Sequence, residues 1–189
     1  MIGILAIQGG YEAHLKMFQR LNVQCCYVRT AVALQKYSAL IIPGGESTTL
    51  LWFIEKNGLF EAILTFAKQN KPIFGTCAGA ILLAKKVTHP AQKSFDLIDI
   101  QIERNGYGRQ LASHIAEGIF LPDNKKTEMV FIRAPKISSY GKQVEIIGQC
   151  TKTGEDKIVC VRQKNILAAT FHPELSDDLC WHRYFLEMI

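Results

Sequence analysis

The first half of the chain alternates short apolar runs with segments whose apolar residues recur at helical spacing. Residues 2–7 form a near-continuous apolar run that ends at two glycines, which is typical of a strand buried on both faces. Residues 11–21 place apolar side chains three or four positions apart and predict a helix. By the same criteria we predict strands at 23–28, 39–42 and 71–74 and helices at 47–56, 59–69 and 78–85.

This alternation of strands and helices predicts an α/β fold with an open, mostly parallel sheet and helices on both faces. The second half changes character, because strand-like segments there are separated mainly by turn residues. We predict these strands at 97–103, 115–121, 129–132, 144–149, 158–161 and 167–171. They indicate a smaller antiparallel addition before the chain returns to the main sheet. A last helix is predicted at 177–188.

Composition fits a folded protein. The chain has 189 residues, of which 48% are hydrophobic and 21% charged, so we expect a single domain over 1–189 and exclude a disordered chain. The net charge of +5 is too small to indicate nucleic-acid binding. No apolar run reaches the ~18 residues of a membrane span, and the start lacks the basic segment of a signal peptide. The six cysteines form no C-x-x-C pair, and we expect reduced thiols in the cytoplasm.

The strongest chemical signal is Cys77 in the segment GTCAG, residues 75–79. It follows a predicted strand and opens a predicted helix, with the G-x-S-x-G spacing of a nucleophile elbow and sulfur in place of oxygen. A thiol at a helix N-terminus is favoured as the thiolate, which is the nucleophilic form. The alternative is a buried structural cysteine between small residues.

A nucleophilic thiol needs a base, and the base needs a group that orients it. His172 and Glu174 supply both, because alternate residues of an extended segment share a face and Pro173 lies between them. The segment follows a predicted strand, so its end should meet Cys77 at the carboxyl edge of the sheet. The alternative is a histidine at a strand end beside a nearby acid.

The loop at 43–49, PGGESTT, also lies between a strand and a helix. Its glycines can present backbone N–H groups inward, and Ser47 is the expected helix cap. Glu46 could bind a ligand ammonium. The N–H groups of Ala78 and of the Gly44–Gly45 loop are candidates for stabilising an oxyanion. The alternative is a capped turn without a ligand.

The remaining histidines do not predict a metal site. His14, His89, His114 and His182 lack metal-ligand spacing with a third donor, so we expect surface or core positions for them. Cys150 and Cys160 fall in strand-like runs and are expected in the core. We therefore predict no metal, and covalent catalysis by a thiol requires no organic cofactor.

Six segments together resemble a known family. Cys77 followed by His172-x-Glu174 on an α/β sheet is similar to the class I, triad-type glutamine amidotransferases, whose fold is a flavodoxin-like sheet. The match is closer to the glutaminase subunits of pyridoxal 5′-phosphate synthases. The segments that carry it are LAIQG (5–9), IPGGESTT (42–49), FGTCAG (74–79), ERNGYGRQ (103–110), FIRAP (131–135) and FHPE (171–174). Gly106-Tyr107 and Ala80 depart from the family pattern, where Ser-Phe and Leu are usual.

The resemblance implies hydrolysis of L-glutamine to glutamate and ammonia, with the ammonia passed to a separate synthase subunit that makes pyridoxal 5′-phosphate. It assigns the catalytic triad to Cys77, His172 and Glu174. It also implies that glutamine is bound by a second set of residues. These are Gly45, Glu46, Ser47, Arg104, Ile132 and Arg133.

Two other functions are compatible with parts of this pattern. A sister amidotransferase that feeds another synthase would share the triad but should lack the GGES loop and the RNGYGR segment. A thiol-bearing stress or redox-sensing protein on a similar sheet would need neither Glu174 beside His172 nor a glutamine pocket. Residues 8–10, which should lie at the same sheet edge as Cys77, are a candidate sensor of the docked synthase.

Overall fold

The computed structural model describes residues 1–106, 113–152 and 155–189. Strands and helices alternate through the first half, as the hydrophobic pattern predicts. This half contains β1 (Ile2–Leu5), α1 (Tyr11–Arg20), β2 (Cys25–Val28), α2 (Ala31–Leu34), β3 (Ala39–Ile42), α3 (Ser47–Lys56), α4 (Leu59–Lys68), β4 (Ile73–Thr76), α5 (Ala78–Leu83) and β5 (Ala84–Thr88). The second half contains β6 (Ile98–Glu103), β7 (Ser113–Phe120), β8 (Lys125–Ile132), β9 (Lys136–Tyr140), β10 (Glu145–Lys152), β11 (Glu155–Gln163), β12 (Ile166–Ala169), a 3₁₀ turn (Pro173–Leu175) and α6 (Cys180–Leu186).

The main sheet has the strand order β2-β1-β3-β4-β12-β11-β10-β7-β8. Its first five strands are parallel, so their carboxyl ends lie along one edge. The loops after β1, β3, β4 and β12 therefore meet there, and this edge is where open α/β sheets bind ligands. The predicted α/β fold class is confirmed.

The antiparallel addition has two parts. Strands β11, β10, β7 and β8 continue the main sheet beyond β12 through antiparallel pairs. Strands β5, β6 and β9 form a separate three-stranded sheet, in which β5 and β6 are parallel and β6 and β9 antiparallel. This second sheet carries the chain to Arg104, one of the predicted site residues.

Apolar side chains fill both faces of the parallel strands. In α4, Leu59, Ile63 and Phe66 are buried at helical spacing against one face. On the other face α1 and α6 bury Phe18, Trp181 and Phe185. Burial on both faces explains why β1 and β3 are apolar at every position. Within the described residues, no helix combines the length and the apolar character that crossing a membrane requires.

Several predicted boundaries are wrong. The helix predicted at 78–85 ends at Leu83, because Ala84 begins β5 and pairs with Ile98. The last helix begins at Cys180 rather than 177, since Asp178 accepts a hydrogen bond from the Cys180 N–H. The sequence prediction also missed α2, β5 and β9. Helix α2 is only four residues long, too short for a periodic pattern to be visible.

The turn after Cys77 depends on a close approach between two segments of backbone. A Cβ atom added at Gly79 would lie 2.0 Å from the carbonyl oxygen of Ile42. This oxygen belongs to the backbone, so it cannot move aside as a flexible side chain could. Gly58 offers a contrast, because it has φ +65° but open space around its Cα. Packing therefore requires a glycine at position 79, whereas only the backbone conformation favours one at position 58.

We predict that Gly79→Ala lowers the free energy of unfolding by about 3 kcal/mol or more. Gly58→Ala should cost only about 1 to 2 kcal/mol, the usual penalty for a left-handed non-glycine residue. Urea denaturation of both variants measures the difference. Equal costs would contradict the close approach as the constraint at Gly79.

Candidate active site

Cys77 lies on a strained turn between β4 and α5. Its backbone has φ 47° and ψ −102°, a conformation that L-residues rarely adopt. The Cys77 N–H donates to the carbonyl of Ala169 at 2.8 Å, which ties the turn to the end of β12. The side chain is buried, and its thiol lies 3.9 Å from the carbonyl oxygen of Ile132. The elbow predicted from the GTCAG spacing is therefore present.

His172 and Glu174 follow β12 and are both buried. The His172 N–H donates to the carbonyl of Val130 at 2.8 Å, which fixes the backbone of the segment to β8. Its Nδ1 lies 2.8 Å from Oε1 of Glu174. The extended conformation predicted for this segment is wrong, because Pro173 starts a 3₁₀ turn, but the turn still brings the carboxylate onto the imidazole.

Burial alone would lower the pKa of His172, because it penalises the charged ring. Hydrogen bonds with Cys77 and Glu174, together with the negative charge that each can carry, outweigh burial and raise this pKa to about 10. For Glu174, burial would raise the pKa, but interactions with His14 and His172 lower it. The site therefore holds Glu174 as a carboxylate and His172 as a strong base.

Gly44 packs directly against both partners of the thiol–imidazole pair. A Cβ at this position would lie 2.4 Å from Cε1 of His172 and 3.3 Å from Cβ of Cys77. Its carbonyl oxygen accepts a hydrogen bond from the Gly10 N–H at 3.1 Å. The loop after β3 and the loop after β1 therefore contact each other beside the thiol, and a side chain at position 44 would displace the imidazole.

Glu46 and Arg104 form an ion pair at the rim of the site. Arg104 Nη2 lies 3.1 Å from Oε1 of Glu46. The other carboxylate oxygen of Glu46 accepts hydrogen bonds from the N–H of Thr49 and the hydroxyl of Thr48. Glu46, not the predicted Ser47, thus caps α3, because its longer side chain reaches the third N–H of the helix. These hydrogen bonds and Arg104 more than offset partial burial and lower the pKa of Glu46.

Ser47 is buried at the first position of α3. Its hydroxyl donates to Oε1 of Gln92 at 2.8 Å, and the Gln92 amide faces the Ser47 carbonyl at 3.4 Å. The segment after β5 therefore packs over the start of α3, where Lys93 also forms an ion pair with Glu55. Nothing in the spacing of the sequence indicated Gln92.

The other predicted residues lie around the same pocket. Gly45 packs against the side chain of Gln8, whose Oε1 also accepts the N–H of Glu46. Ala78 is the first, buried residue of α5. Ile132 ends β8 and faces the thiol with its carbonyl, while the exposed Arg133 follows with φ 44°. Residues 107–110 of the RNGYGR-containing segment lie outside the described residues.

Two histidines predicted to be core or surface residues are fully buried close to the triad. His14 Nε2 lies 3.4 Å from Oε2 of Glu174, and His14 Nδ1 lies 2.9 Å from Nε2 of His182. The sequence contained one signal for His14, its position on α1. It lies one helical turn after Gly9 and Gly10, which lie at the carboxyl edge of the sheet. No comparable signal exists for His182, which reaches the site from the last helix.

A thiol on a tight turn, an imidazole beside it and a buried carboxylate on the imidazole are the groups that nucleophilic acyl transfer needs. Among the described residues, no group of three or more histidine, cysteine, aspartate or glutamate side chains is arranged to hold a metal ion. The thiol, imidazole and carboxylate are suited to covalent catalysis by the thiol.

Comparison with known proteins agrees with this arrangement. The model of the SNO glutamine amidotransferase family matches residues 4–189. The pyridoxal 5′-phosphate synthase subunit PdxT of Thermosipho africanus is 43% identical over 189 residues, which cover all of this chain and 98% of the relative. PdxT of Caldicellulosiruptor saccharolyticus is 46% identical over 187 residues, which cover 98% of this chain and 96% of the relative.

Solved structures show the same fold. A crystal structure described as a glutamine amidotransferase superposes with a TM-score of 0.90 at 36% identity, covering 99% of this chain and 97% of the other. PurLQS from Thermotoga maritima matches with a TM-score of 0.70 at 15% identity over 98% of this chain and 96% of the other, which shows likeness of fold alone. On the family match and on relatives above 40% identity over their full length, the chain belongs to the SNO glutamine amidotransferase family.

Proposed function

We propose that this chain is the glutaminase subunit of a pyridoxal 5′-phosphate synthase and that Cys77, His172 and Glu174 hydrolyse the glutamine. Membership of the family and the names of its relatives support the reaction and the destination of the ammonia. The observation that supports the assignment of residues is that Gly44 packs against both Cys77 and His172, while His172 Nδ1 lies 2.8 Å from the buried Glu174 carboxylate.

The reaction follows from this arrangement. The Cys77 thiolate attacks the side-chain carboxamide carbon of glutamine, and backbone N–H groups of Ala78 and of the Gly44–Gly45 loop stabilise the oxyanion. The imidazolium of His172 protonates the leaving nitrogen, and ammonia departs as the thioester forms. His172 then takes a proton from water, whose oxygen attacks the thioester and releases glutamate and the thiol. Glu174 orients the imidazole and stabilises its charge throughout.

The remaining site residues supply the charges that a free amino acid requires. Glu46 offers a carboxylate to the α-ammonium group, and the guanidinium groups of Arg104 and Arg133 offer positive charge to the α-carboxylate. Gly45, Ser47 and Ile132 complete the pocket, as the family resemblance implies. The ion pair between Arg104 and Glu46 supports this role, because it holds the acidic side chain at the rim of the pocket.

A separate synthase subunit consumes the ammonia. Ammonia that escapes into water at neutral pH is protonated and loses its nucleophilicity, so hydrolysis should be fast only in the docked complex. The loop at residues 8–10 is positioned to report docking, because Gly10 hydrogen-bonds to Gly44 beside the thiol. The loop therefore links the edge of the sheet to the catalytic pair.

The free thiols and the shared sheet support two further proposals. All six cysteines are free, which fits a reducing compartment, and we place the protein in the cytoplasm. We also treat 1–189 as one amidotransferase domain, because β12 from the end of the chain pairs with β4 from its first half.

The Cys77→Ala variant tests the nucleophile in the complex with the synthase subunit. Glutamine hydrolysis should be abolished, because the thioester cannot form. Formation of pyridoxal 5′-phosphate should continue when ammonium salt replaces glutamine, which shows that the complex is intact. Retained hydrolysis of glutamine in this variant would contradict the assignment of the nucleophile.

The protonation of His172 can be measured directly. NMR of ¹⁵N-labelled histidine should show the His172 ring protonated up to about pH 10. This pKa should fall in Cys77→Ala, since the thiol contributes part of the rise. Because the folded-state pKa exceeds the ordinary 6.5, the charged ring stabilises the fold fully below pH 6.5. This stabilisation should be lost as the pH rises towards 10, and an unshifted His172 in the wild type would contradict the pair.

The Glu46→Gln variant removes the negative charge of this side chain but keeps an oxygen that can accept from the Thr49 N–H. The KM for glutamine should rise about tenfold, as expected for loss of a charged hydrogen bond, with kcat nearly unchanged. Glu55→Gln is the matched control, because Glu55 lies on the same helix and pairs with Lys93 instead. A wild-type KM in Glu46→Gln would exclude its contact with substrate.

A further inference from the structure

Two fully buried histidines lie behind the triad and connect helices from opposite ends of the chain. His14 is on α1 and His182 is on α6, and neither is exposed to solvent. His14 Nδ1 lies 2.9 Å from Nε2 of His182, and His14 Nε2 lies 3.1 Å from the hydroxyl of Thr76. Burying two imidazoles costs free energy unless their polar atoms are used, so packing alone does not explain the pair.

The contacts of His14 fix where its proton is. Nε2 lies 3.4 Å from Oε2 of Glu174, and a ring nitrogen without a proton would turn its lone pair towards this carboxylate oxygen. We therefore place the proton on Nε2, where the Thr76 hydroxyl at 3.1 Å and the Glu174 carboxylate at 3.4 Å can both accept it, and Nδ1 then accepts a proton from Nε2 of His182. Nδ1 of His182 is then left bare, which agrees with its having no hydrogen-bond partner among the described residues. Burial lowers the pKa of both rings, so both are neutral at pH 7.

This arrangement gives Glu174 a donor on each side. Oε1 faces the Nδ1 of His172 at 2.8 Å, and Oε2 faces His14. Among the described residues Oε2 accepts no hydrogen bond of normal geometry, and its ion-pair contact there is the one with His14 at 3.4 Å. A buried carboxylate remains ionised only if donors replace the water it has lost.

The donors run in a single direction. In this tautomer His182 donates to His14, the Nε2 proton of His14 is shared between the Thr76 hydroxyl and the Glu174 carboxylate, and Glu174 accepts from His172. Because Nδ1 of His172 carries the proton towards Glu174, its Nε2 is the atom that exchanges a proton with the thiol of Cys77. The buried histidines His182 and His14, acting through Glu174, thus determine which ring nitrogen of His172 exchanges a proton with the thiol.

We propose that His14, held in one tautomer by His182, is a positioning residue of the glutaminase that donates to Glu174 and keeps it ionised and aligned on His172. This proposal rests on the proposed function and extends the triad by two buried side chains. His14 touches neither substrate nor thiol and acts only through Glu174.

The test compares His14→Phe with His14→Gln in the complex with the synthase. Phenylalanine fills the space without a donor, and we expect kcat for glutamine hydrolysis to fall about 10- to 100-fold with KM within about twofold. Glutamine keeps an amide N–H near the Nε2 position and should retain kcat within about threefold. Met17→Ala is the control, a buried truncation on the same helix that should lower thermal stability and leave kcat unchanged.

The pH profile separates positioning from mere stability. The titratable groups that face His14 are Glu174, His172 and His182. Without the His14 donor Glu174 should protonate more readily, so the acid limb of kcat/KM should move to higher pH in His14→Phe but not in His14→Gln or Met17→Ala. Wild-type kcat in His14→Phe, or equal losses in both His14 variants with unmoved acid limbs, would overturn the proposal.

A second readout does not depend on activity. ¹⁵N NMR of the wild-type complex should show His14 and His182 both protonated at Nε2. A proton on Nδ1 of His14 would overturn the proposal even in a fully active glutaminase. Absence of glutaminase activity from the wild-type complex would instead overturn the proposed function, and the tautomers would still decide the role of His14.

Discussion

The pairing of β4 with β12 is the constraint on which the site depends. Thr76 at the end of β4 pairs with Ala169 at the end of β12, 93 positions later in the chain, and the parallel register brings both strand ends to one edge. The N–H of Cys77 continues this register by donating to the carbonyl of Ala169. His172 follows three residues later, so two residues of the proposed triad from distant parts of the sequence meet through backbone hydrogen bonds.

Glycine residues at this edge let neighbouring segments of the chain pack closely around the site. Gly79 passes against the carbonyl of Ile42, and Gly44 lies against the ring of His172. The strained backbone of Cys77 is held between these contacts, and strain of this kind persists only where the surrounding structure enforces it. Glu174 is itself buried, so it depends on protein donors to remain a carboxylate.

The sequence was sufficient for the fold class and for the meeting of Cys77, His172 and Glu174 at one sheet edge, because apolar runs and the spacing of GTCAG and FHPE report local structure. It failed where the outcome depends on tertiary contacts. Glu46 rather than Ser47 caps α3, since the loop geometry favours the longer side chain, and Ala84 leaves the helix to pair with Ile98. His14 could only be placed in the core, because its nearness to Glu174 depends on how α1 packs on the sheet.

The central claim, that Cys77 is activated by His172, is tested most directly by covalent labelling. The protein has six free thiols, and Cys26 is exposed whereas Cys77 is buried. A glutamine analogue with an electrophilic carbon in place of the carboxamide should label Cys77 in the synthase complex, and much more slowly in His172→Ala, as located by peptide mass mapping. Labelling of Cys26 in preference to Cys77, or a rate at Cys77 unaffected by loss of His172, would contradict the account.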